Sequence, residues 1–184
     1  MALKPILIWP DPVLKRVSEP VVDFAKELPP IIKDLTDCME AYGPMAGLSA
    51  PQIGISKRVF IVDIDPEDND GNGTKGREVF VNPEIIAKEG SFTWDEGCMS
   101  IPGLRGKVTR SYNVTMRYQN EHGETLQREA FYYLGGCFQH ELDHLNGVLW
   151  VDYQNPLKRN LIKKKMLKFK ELPISEQQKW REET

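Results

Sequence analysis

The residues best suited to chemistry in this chain are two histidines and a glutamate in segment 139–144, which reads Gln-His-Glu-Leu-Asp-His. His140 and His144 are four positions apart, so on an α-helix both imidazoles project from the same face. In this H-E-x-x-H pattern two imidazoles hold a metal ion, and the carboxylate of Glu141 acts as general base on a water activated by that metal. An amphipathic helix with two polar histidines would give the same pattern, so the rest of the chain has to decide.

A third metal ligand has to come from upstream, because no histidine follows His144. Catalytic metal sites usually have three protein ligands and one open position. Segment 96–100 reads Glu-Gly-Cys-Met-Ser and places the thiol of Cys98 in a glycine-bearing turn. Cys98 would complete a Cys-His-His site, although a small buried cysteine is the better explanation of this segment when it is considered alone.

A run of small residues occupies segment 45–54, which reads Met-Ala-Gly-Leu-Ser-Ala-Pro-Gln-Ile-Gly. Small residues let the backbone approach a ligand closely. The side-chain amide of Gln52 could donate to a developing oxyanion. A tight loop between a helix and a strand is an equally good interpretation.

The helices that must position these residues can be read from apolar spacing. Pro29 and Pro30 suit the first turn of a helix that runs to Tyr42, with Cys38 on its apolar face. The two glycines at 135–136 open the metal helix, and Gly147 closes it in a left-handed conformation.

Strands are predicted between these helices. Segment 58–64, with four consecutive apolar residues at 59–62, is typical of a buried strand, and Pro83 separates two further strands at 78–82 and 84–88. Segments 112–118 and 125–132 form a hairpin around a glycine-bearing turn. Strands and helices therefore share one α+β domain.

The C-terminal part of the chain is basic. Lysines alternate with apolar residues over Leu157–Lys170, which predicts an amphipathic basic helix. Such a helix packs on its own domain with a solvated face, or it contacts a polyanion such as ribosomal RNA. The tail after Pro173 is expected to be loose.

Length and composition favour a cytosolic domain of the size of an enzyme. The chain has 184 residues with 40% apolar and 28% charged residues and a net charge of −3, which fits one soluble domain over 1–184. No apolar run approaches membrane-spanning length, and no signal-peptide layout is present. The three cysteines form no disulfide framework and fit a reducing compartment.

The three segments together resemble, in order and approximate spacing, the signature motifs of the peptide deformylases. The motifs are 47–52 (Gly-Leu-Ser-Ala-Pro-Gln), 96–100 and 139–144, and the likeness extends over nearly the whole chain, including the opening 10–14. The resemblance implies an α+β fold in which mixed and antiparallel sheets surround a central metal-binding helix, with an N-terminal helix and the C-terminal basic helix outside them.

The resemblance also implies an activity. Peptide deformylases remove the formyl group from the N-formyl-methionine of nascent polypeptides and release formate, a step in N-terminal methionine processing during protein biosynthesis. Members of this family use one divalent metal ion, usually Fe²⁺, while Zn²⁺, Ni²⁺ or Co²⁺ can be present in purified protein. A monomer in the bacterial cytoplasm is expected.

Site roles follow residue by residue from the matching motifs. Metal ligands are Cys98, His140 and His144. Glu141 is the acid/base, and Gln52 with the backbone N–H of Met99 stabilises the oxyanion. Substrate contacts are expected from Ala46, Gly47, Gly97, Arg105, Tyr133 and Cys137.

Several positions depart from the family pattern. Met45 stands where the family commonly has Gly, Ser49 where it has Ala, and Met99 where it has Leu. Gly136 stands where larger side chains are usual, which predicts a roomier methionine pocket. Two alternatives therefore stay open: a metal amide hydrolase of the same fold with a shifted substrate preference, and an RNA-docking protein that works through its basic helix.

Overall fold

A computed structural model describes residues 3–67 and 72–182. Within these ranges the chain forms four α-helices: α1 (Leu28–Tyr42), α2 (Tyr132–Leu145), α3 (Pro156–Glu171) and α4 (Ile174–Glu182). It also forms seven strands: β1 (Gly47–Ser49), β2 (Val59–Val62), β3 (Glu78–Glu89), β4 (Phe92–Gly97), β5 (Arg105–Arg110), β6 (Asn113–Gln119) and β7 (Thr125–Phe131).

The strands form a five-stranded sheet of order β1-β2-β3-β6-β7 and a two-stranded sheet of β4 and β5. Every pairing between these strands is antiparallel. The expectation of mixed sheets is therefore wrong for the described strands, where the parallel contact is an isolated bridge between Glu19 and Lys57. Strand β1 lies at the edge of the larger sheet, so one side of its backbone has no strand partner within residues 3–67 and 72–182.

Helix α1 confirms the prediction made from apolar spacing. Prolines occupy its first turn, where a backbone N–H would have no acceptor within the helix, so the missing N–H of proline costs no hydrogen bond. Leu35 and Cys38 are fully buried and pack in one cluster with Ile61 of β2. The interpretation of Cys38 as a core residue is thus confirmed.

Strand β3 is continuous, whereas two strands broken at Pro83 were predicted. The ladder with β6 changes register between Val81 and Glu84, and Asn82 in this bulge has a φ of 49°. A bulge leaves backbone groups outside the ladder, so the missing N–H of Pro83 costs no hydrogen bond there. The hairpin of β6 and β7 is confirmed.

Helix α2 begins at Tyr132, three residues before the predicted start at Gly135. Strand β7 runs directly into it through Tyr132, whose φ is 48°. A Cβ atom at Gly135 would lie 3.1 Å from the carbonyl oxygen of Ala130, so this glycine permits close packing on the hairpin instead of opening the helix. Gly147 follows the helix with a φ of 70°, as predicted.

One face of α2 is fixed by aromatic packing on the larger sheet. The ring of Phe138 lies 4.7 Å from that of Phe80, which stacks on Phe60 at 4.8 Å. All three rings are fully buried. This anchor holds the helix against the sheet and leaves His140 and Glu141 at a cleft on its other side.

The C-terminal basic helix is present as α3, and the side chain of Asn155 accepts from the backbone N–H of Lys158 at its start. The prediction of a loose tail is wrong as far as residue 182, because α4 follows at once. Trp180 packs on Phe169 and donates to the carbonyl of Pro102. Residues 183–184 lie outside the described ranges. Among the described helices, none is long and apolar enough to cross a membrane.

Candidate active site

A cleft of about 540 Å³ lies between edge strand β1 and strand β4, with α2 at its base. It is lined by most of the residues singled out from the sequence: Ala46, Gly47, Gln52, Gly97, Cys98, Met99, Arg105, Tyr133, Cys137, His140 and Glu141. His144 lies beneath it and is 1% exposed. Three motifs far apart in the chain thus meet in one place.

Cys98, His140 and His144 have their ligand atoms within 4.8 Å of one another. The sulfur of Cys98 lies 3.3 Å from Nε2 of His144, which lies 3.2 Å from Nε2 of His140. Ligand atoms around a tetrahedral ion with bonds of about 2.0 Å to nitrogen and 2.3 Å to sulfur are separated by roughly 3.3–3.6 Å. One metal ion therefore fits between these three residues.

A buried carboxylate orients the first histidine. Nδ1 of His140 lies 2.6 Å from Oε1 of Glu96, whose side chain also accepts from the guanidinium of Arg110 at 2.8 and 3.0 Å. Burial alone would raise the pKa of Glu96, but His140 and Arg110 outweigh it and lower this pKa to about 2. Glu96 is therefore ionised, and the proton of the shared hydrogen bond belongs to Nδ1.

Arg110 links this carboxylate to the outer side of the metal helix. Its Nη1 donates to Asp143 at 2.5 Å, and Asp143 also accepts from the hydroxyl of Tyr153 at 2.8 Å. Asp143 on the metal helix is thus paired with Arg110 of β5. The arginine is almost completely buried and has two carboxylate partners, which is how a buried guanidinium is compensated.

Glu141 is buried beside the proposed ligands. Its Oε2 atom has no hydrogen-bond partner among the described residues. Burial raises the pKa of Glu141 to about 7, against the opposing effects of His140 and of a hydrogen bond from Ser49. A carboxyl group with a pKa near neutrality can both accept and donate a proton. A Cβ atom at Gly47 would lie 2.9 Å from its Oε1 atom, so strand β1 can lie this close only because position 47 is glycine.

The amide of Gln52 is held in one orientation. Its Oε1 accepts from both the backbone N–H and the hydroxyl of Ser49 at 2.9 Å. Its Nε2 consequently points toward the cleft and lies 3.4 Å from the sulfur of Cys98 and 3.3 Å from the hydroxyl of Ser100. A fixed donor next to a metal site can stabilise negative charge that develops on a substrate oxygen.

Other predicted residues complete the walls. Arg105 lies over Gly97 and donates weakly to the carbonyl of Asp95 at 3.5 Å. Burial raises the pKa of the Cys137 thiol well above its ordinary value, and Cys137 is not in the group of potential metal ligands. Cys137 therefore lines the wall of the cleft, and its contact with a substrate stays a prediction.

The expectation that Gly136 leaves a roomier pocket is wrong. A Cβ atom there would lie 2.9 Å from Cζ2 of the Trp94 indole and 3.2 Å from the ring of Phe92. The space that glycine leaves is filled by these rings. Trp94 lines the cleft, yet sequence reasoning missed it and the role of Glu96. The available signal was the alternation of Trp94 and Glu96 along β4, in phase with Cys98 directly after the strand.

The fold and the donor set together define a mononuclear metal site of the hydrolase type, with a carboxylate beside two histidines and a thiol. A sequence profile of the polypeptide deformylase family matches residues 3–160. The chain therefore belongs to this family.

Individual relatives agree with this assignment. A peptide deformylase of Stenotrophomonas maltophilia is 41% identical over 171 residues, which is 91% of this chain and 96% of the relative. One of Acidobacterium capsulatum is 43% identical over 169 residues, with the same shares of the two chains. The crystal structure of a peptide deformylase from Legionella pneumophila superposes with a TM-score of 0.80 at 38% identity and covers 92% of this chain and 96% of that chain.

Proposed function

We propose that this chain removes the formyl group from the N-formyl-methionine of nascent polypeptides and releases formate, with residues 1–184 forming a single catalytic domain. The observation that supports this most is the placement of Glu141 in one cleft with the cluster of Cys98, His140 and His144. The reaction consumes one water and breaks the C–N bond between the formyl carbon and the terminal nitrogen, giving formate and a free amine.

Cys98, His140 and His144 would hold one divalent metal ion. A thiolate with two imidazoles suits iron and zinc, and we propose Fe²⁺ as the physiological ion, with Zn²⁺, Ni²⁺ or Co²⁺ able to replace it. Such an ion acts as a Lewis acid and lowers the pKa of water. The ionised Glu96 supports binding, because a carboxylate on the far nitrogen of a ligating histidine fixes its orientation.

The proton transfers are assigned to Glu141. Its carboxylate takes a proton from the attacking water and later delivers it to the departing amine nitrogen. The raised pKa of Glu141, about 7, suits both transfers at neutral pH. The Nε2 amide of Gln52 and the backbone N–H of Met99 would donate to the oxygen on which negative charge develops.

The peptide would bind as an added strand. Strand β1 is an edge strand, and its start, together with Ala46, lines the cleft. Backbone pairing with Ala46, Gly47 and Gly97 would hold peptides of many sequences, because main-chain hydrogen bonds do not depend on the side chains. Tyr133 and Cys137 would contact the first side chain, and Arg105 the peptide backbone.

The test is formate release from formyl-Met-Ala-Ser by anaerobically purified protein, with metal content measured in the same sample. Glu141→Ala should keep the metal and lose turnover. Glu171→Ala, at an exposed position at the end of α3, is the matched control and should behave as the wild type. Formate from both proteins but not from Glu141→Ala supports the proposal. Absence of metal from the wild type would overturn the ligand assignment.

The second candidate is a metal amide hydrolase with another substrate. It is favoured by Trp94, whose ring beside Gly136 gives the cleft wall a shape that the sequence motifs do not predict. A wild-type protein that binds metal and releases no formate from any formylated peptide would establish this alternative.

We also propose that α3 contacts the ribosome and that the protein works as a monomer in the bacterial cytoplasm. Leu157 is 73% exposed and Leu161 is 53% exposed, so part of the apolar surface of α3 is not covered by the domain. The exposed lysines beside them are Lys163, Lys164, Lys165, Lys168 and Lys170. Co-sedimentation with ribosomes should weaken with salt and be lost in Lys164→Glu/Lys168→Glu, while no salt dependence would leave α3 as a packing helix. Sedimentation velocity tests the oligomeric state and should give the mass of a monomer.

A further inference from the structure

Helix α2 and strand β4 meet where Gly136 faces the indole of Trp94. A Cβ atom at Gly136 would lie 2.9 Å from Cζ2 and 3.2 Å from Cη2 of the indole. Real Cβ atoms essentially never approach as closely as the first of these distances, so the ring can occupy its place only beside glycine. The six-membered ring of the indole thus packs directly against helix α2 at Gly136.

Two contacts keep the indole of Trp94 in this position. Its Nε1–H donates to Oε2 of Glu96 at 3.0 Å. Its ring meets the ring of Tyr133 edge to face, with centroids 5.3 Å apart and an angle of 83°. Because both partners also belong to the walls or supports of the site, the indole cannot swing away without breaking contacts there.

This wall is next to the reacting groups. Gly136 precedes His140 by four residues, which is one helical turn. Trp94, Tyr133 and Cys137 line the same cleft as Cys98 and His140. In a formylated peptide the Cβ atom of the first residue is only two bonds from the nitrogen that carries the formyl group. The side chain of this residue therefore has to lie within a few ångströms of the metal ligands.

We propose that Trp94 and Gly136 form a size-complementary pair that sets the depth of this apolar pocket and thereby determines which first side chain the enzyme accepts. This inference rests on the proposed function. The pocket wall combines aromatic rings and a neutral thiol, which suits a flexible, unbranched thioether because sulfur packs well against aromatic rings. A bulkier first side chain meets the indole, which Glu96 and Tyr133 prevent from moving.

The experiment compares kcat/KM for formyl-Met-Ala-Ser and formyl-Phe-Ala-Ser in four variants. Trp94→Leu removes the wall and should raise the Phe-to-Met ratio about tenfold, the order expected when a hydrophobic pocket gains or loses a small group. Gly136→Ala pushes the indole into the pocket and should lower kcat/KM for both peptides and the ratio as well. Trp94→Leu/Gly136→Ala should recover activity on formyl-Met-Ala-Ser relative to Gly136→Ala, because the smaller side chain leaves room for the added methyl group.

Thr93→Ala is the matched control. Thr93 is exposed on the same strand and pairs with Thr109, so this change should leave the ratio as in the wild type. Thermal unfolding of the metal-free proteins gives a second readout: Gly136→Ala should raise the melting temperature more in the Trp94→Leu background than in the wild type, since only in the wild type does the methyl group meet the indole.

The ratio of kcat/KM values and the melting temperatures together test whether Trp94 and Gly136 act as a pair. A Phe-to-Met ratio that stays at the wild-type value in every variant would overturn the pair, and additive melting shifts would do the same. A wild type that releases no formate from either peptide would instead contradict the proposed function, and the melting-temperature cycle would still report on the packing of the pair.

Discussion

Nδ1 of His140 donates to Oε1 of Glu96 at 2.6 Å, while its other ring nitrogen lies 3.2 Å from Nε2 of His144. Because Glu96 is ionised and can only accept, the hydrogen bond fixes the tautomer of His140. Nε2 therefore faces the other ligand atoms and has the lone pair when the ring is neutral. Burial lowers the pKa of His140, but Cys98 and Glu96 outweigh it and raise this pKa well above its ordinary value. A metal ion would therefore replace the proton on Nε2 of an imidazole that Glu96 already orients.

The first prediction tests whether Glu96 supports metal binding by orienting His140. Glu96→Gln should weaken metal binding by about 10- to 100-fold, the usual effect of losing a carboxylate behind a ligating histidine. A competition titration with a chromogenic zinc chelator measures the affinity. Glu84→Gln is the control, since Glu84 pairs with Arg117 at an exposed position on the larger sheet. Equal affinities of both variants would show that Glu96 does not support the metal.

A second prediction concerns stability. Arg110 compensates the buried charge of Glu96 and also binds Asp143. Arg110→Ala leaves a buried carboxylate without its cation and should lower the free energy of unfolding by about 3–5 kcal/mol. Urea unfolding of the metal-free protein measures this change. Arg117→Ala removes an exposed pair and should cost about 1 kcal/mol or less; comparable losses in the two variants would contradict the argument.

Motif spacing was enough to predict the helix that carries His140 and His144, whereas Cys98 was assigned as a ligand only through the resemblance to the peptide deformylases. His140 and His144 are joined by local helix geometry, and a periodicity argument needs nothing more. The bond between His140 and Glu96 joins residues 44 positions apart, and sequence spacing carries no information about which side chains meet across such a distance. For the same reason, the sequence analysis included Glu96 in a motif but assigned no role to it.

The pocket shows a different limit. Gly136 was interpreted as empty space, because a single position reveals the size of its own side chain and not that of its neighbour. Trp94 fills the space from strand β4. The start of α2 and the continuity of β3 were missed similarly, since a positive φ at Tyr132 and a bulge at Asn82 are imposed by tertiary packing over local preference.

A third prediction follows from the thiol ligand. Treatment with a chelator should abolish formate release, and anaerobic addition of Fe²⁺ should restore it. Iron-loaded protein exposed to air should lose activity as Cys98 is oxidised, and it should not recover when fresh Fe²⁺ is added, because a ligand has been lost. Peptide mass spectrometry should find the oxidation at Cys98 before Cys38. Burial raises the pKa of the Cys38 thiol, which keeps it protonated and unreactive. Full activity after prolonged aerobic handling with iron bound would contradict this prediction.

The last prediction isolates the oxyanion donor. The Oε1 atom of Gln52 is occupied by Ser49, so only its Nε2–H₂ group is available to the cleft. Gln52→Glu has the same shape but replaces that donor with an acceptor. It should lower kcat by about 10²–10³-fold, as expected for one lost oxyanion donor, while KM and metal content change little.

Gln127→Glu is the control for the change in charge, since Gln127 is exposed on β7 opposite Arg117. It should match the wild type in all three quantities. A loss of metal in Gln52→Glu equal to the loss of kcat would show that the amide acts through the thiolate of Cys98, from which Nε2 is 3.4 Å away. A pure kcat effect places the amide on the substrate oxygen, because an interaction that exists only in the transition state changes kcat without changing the binding of substrate.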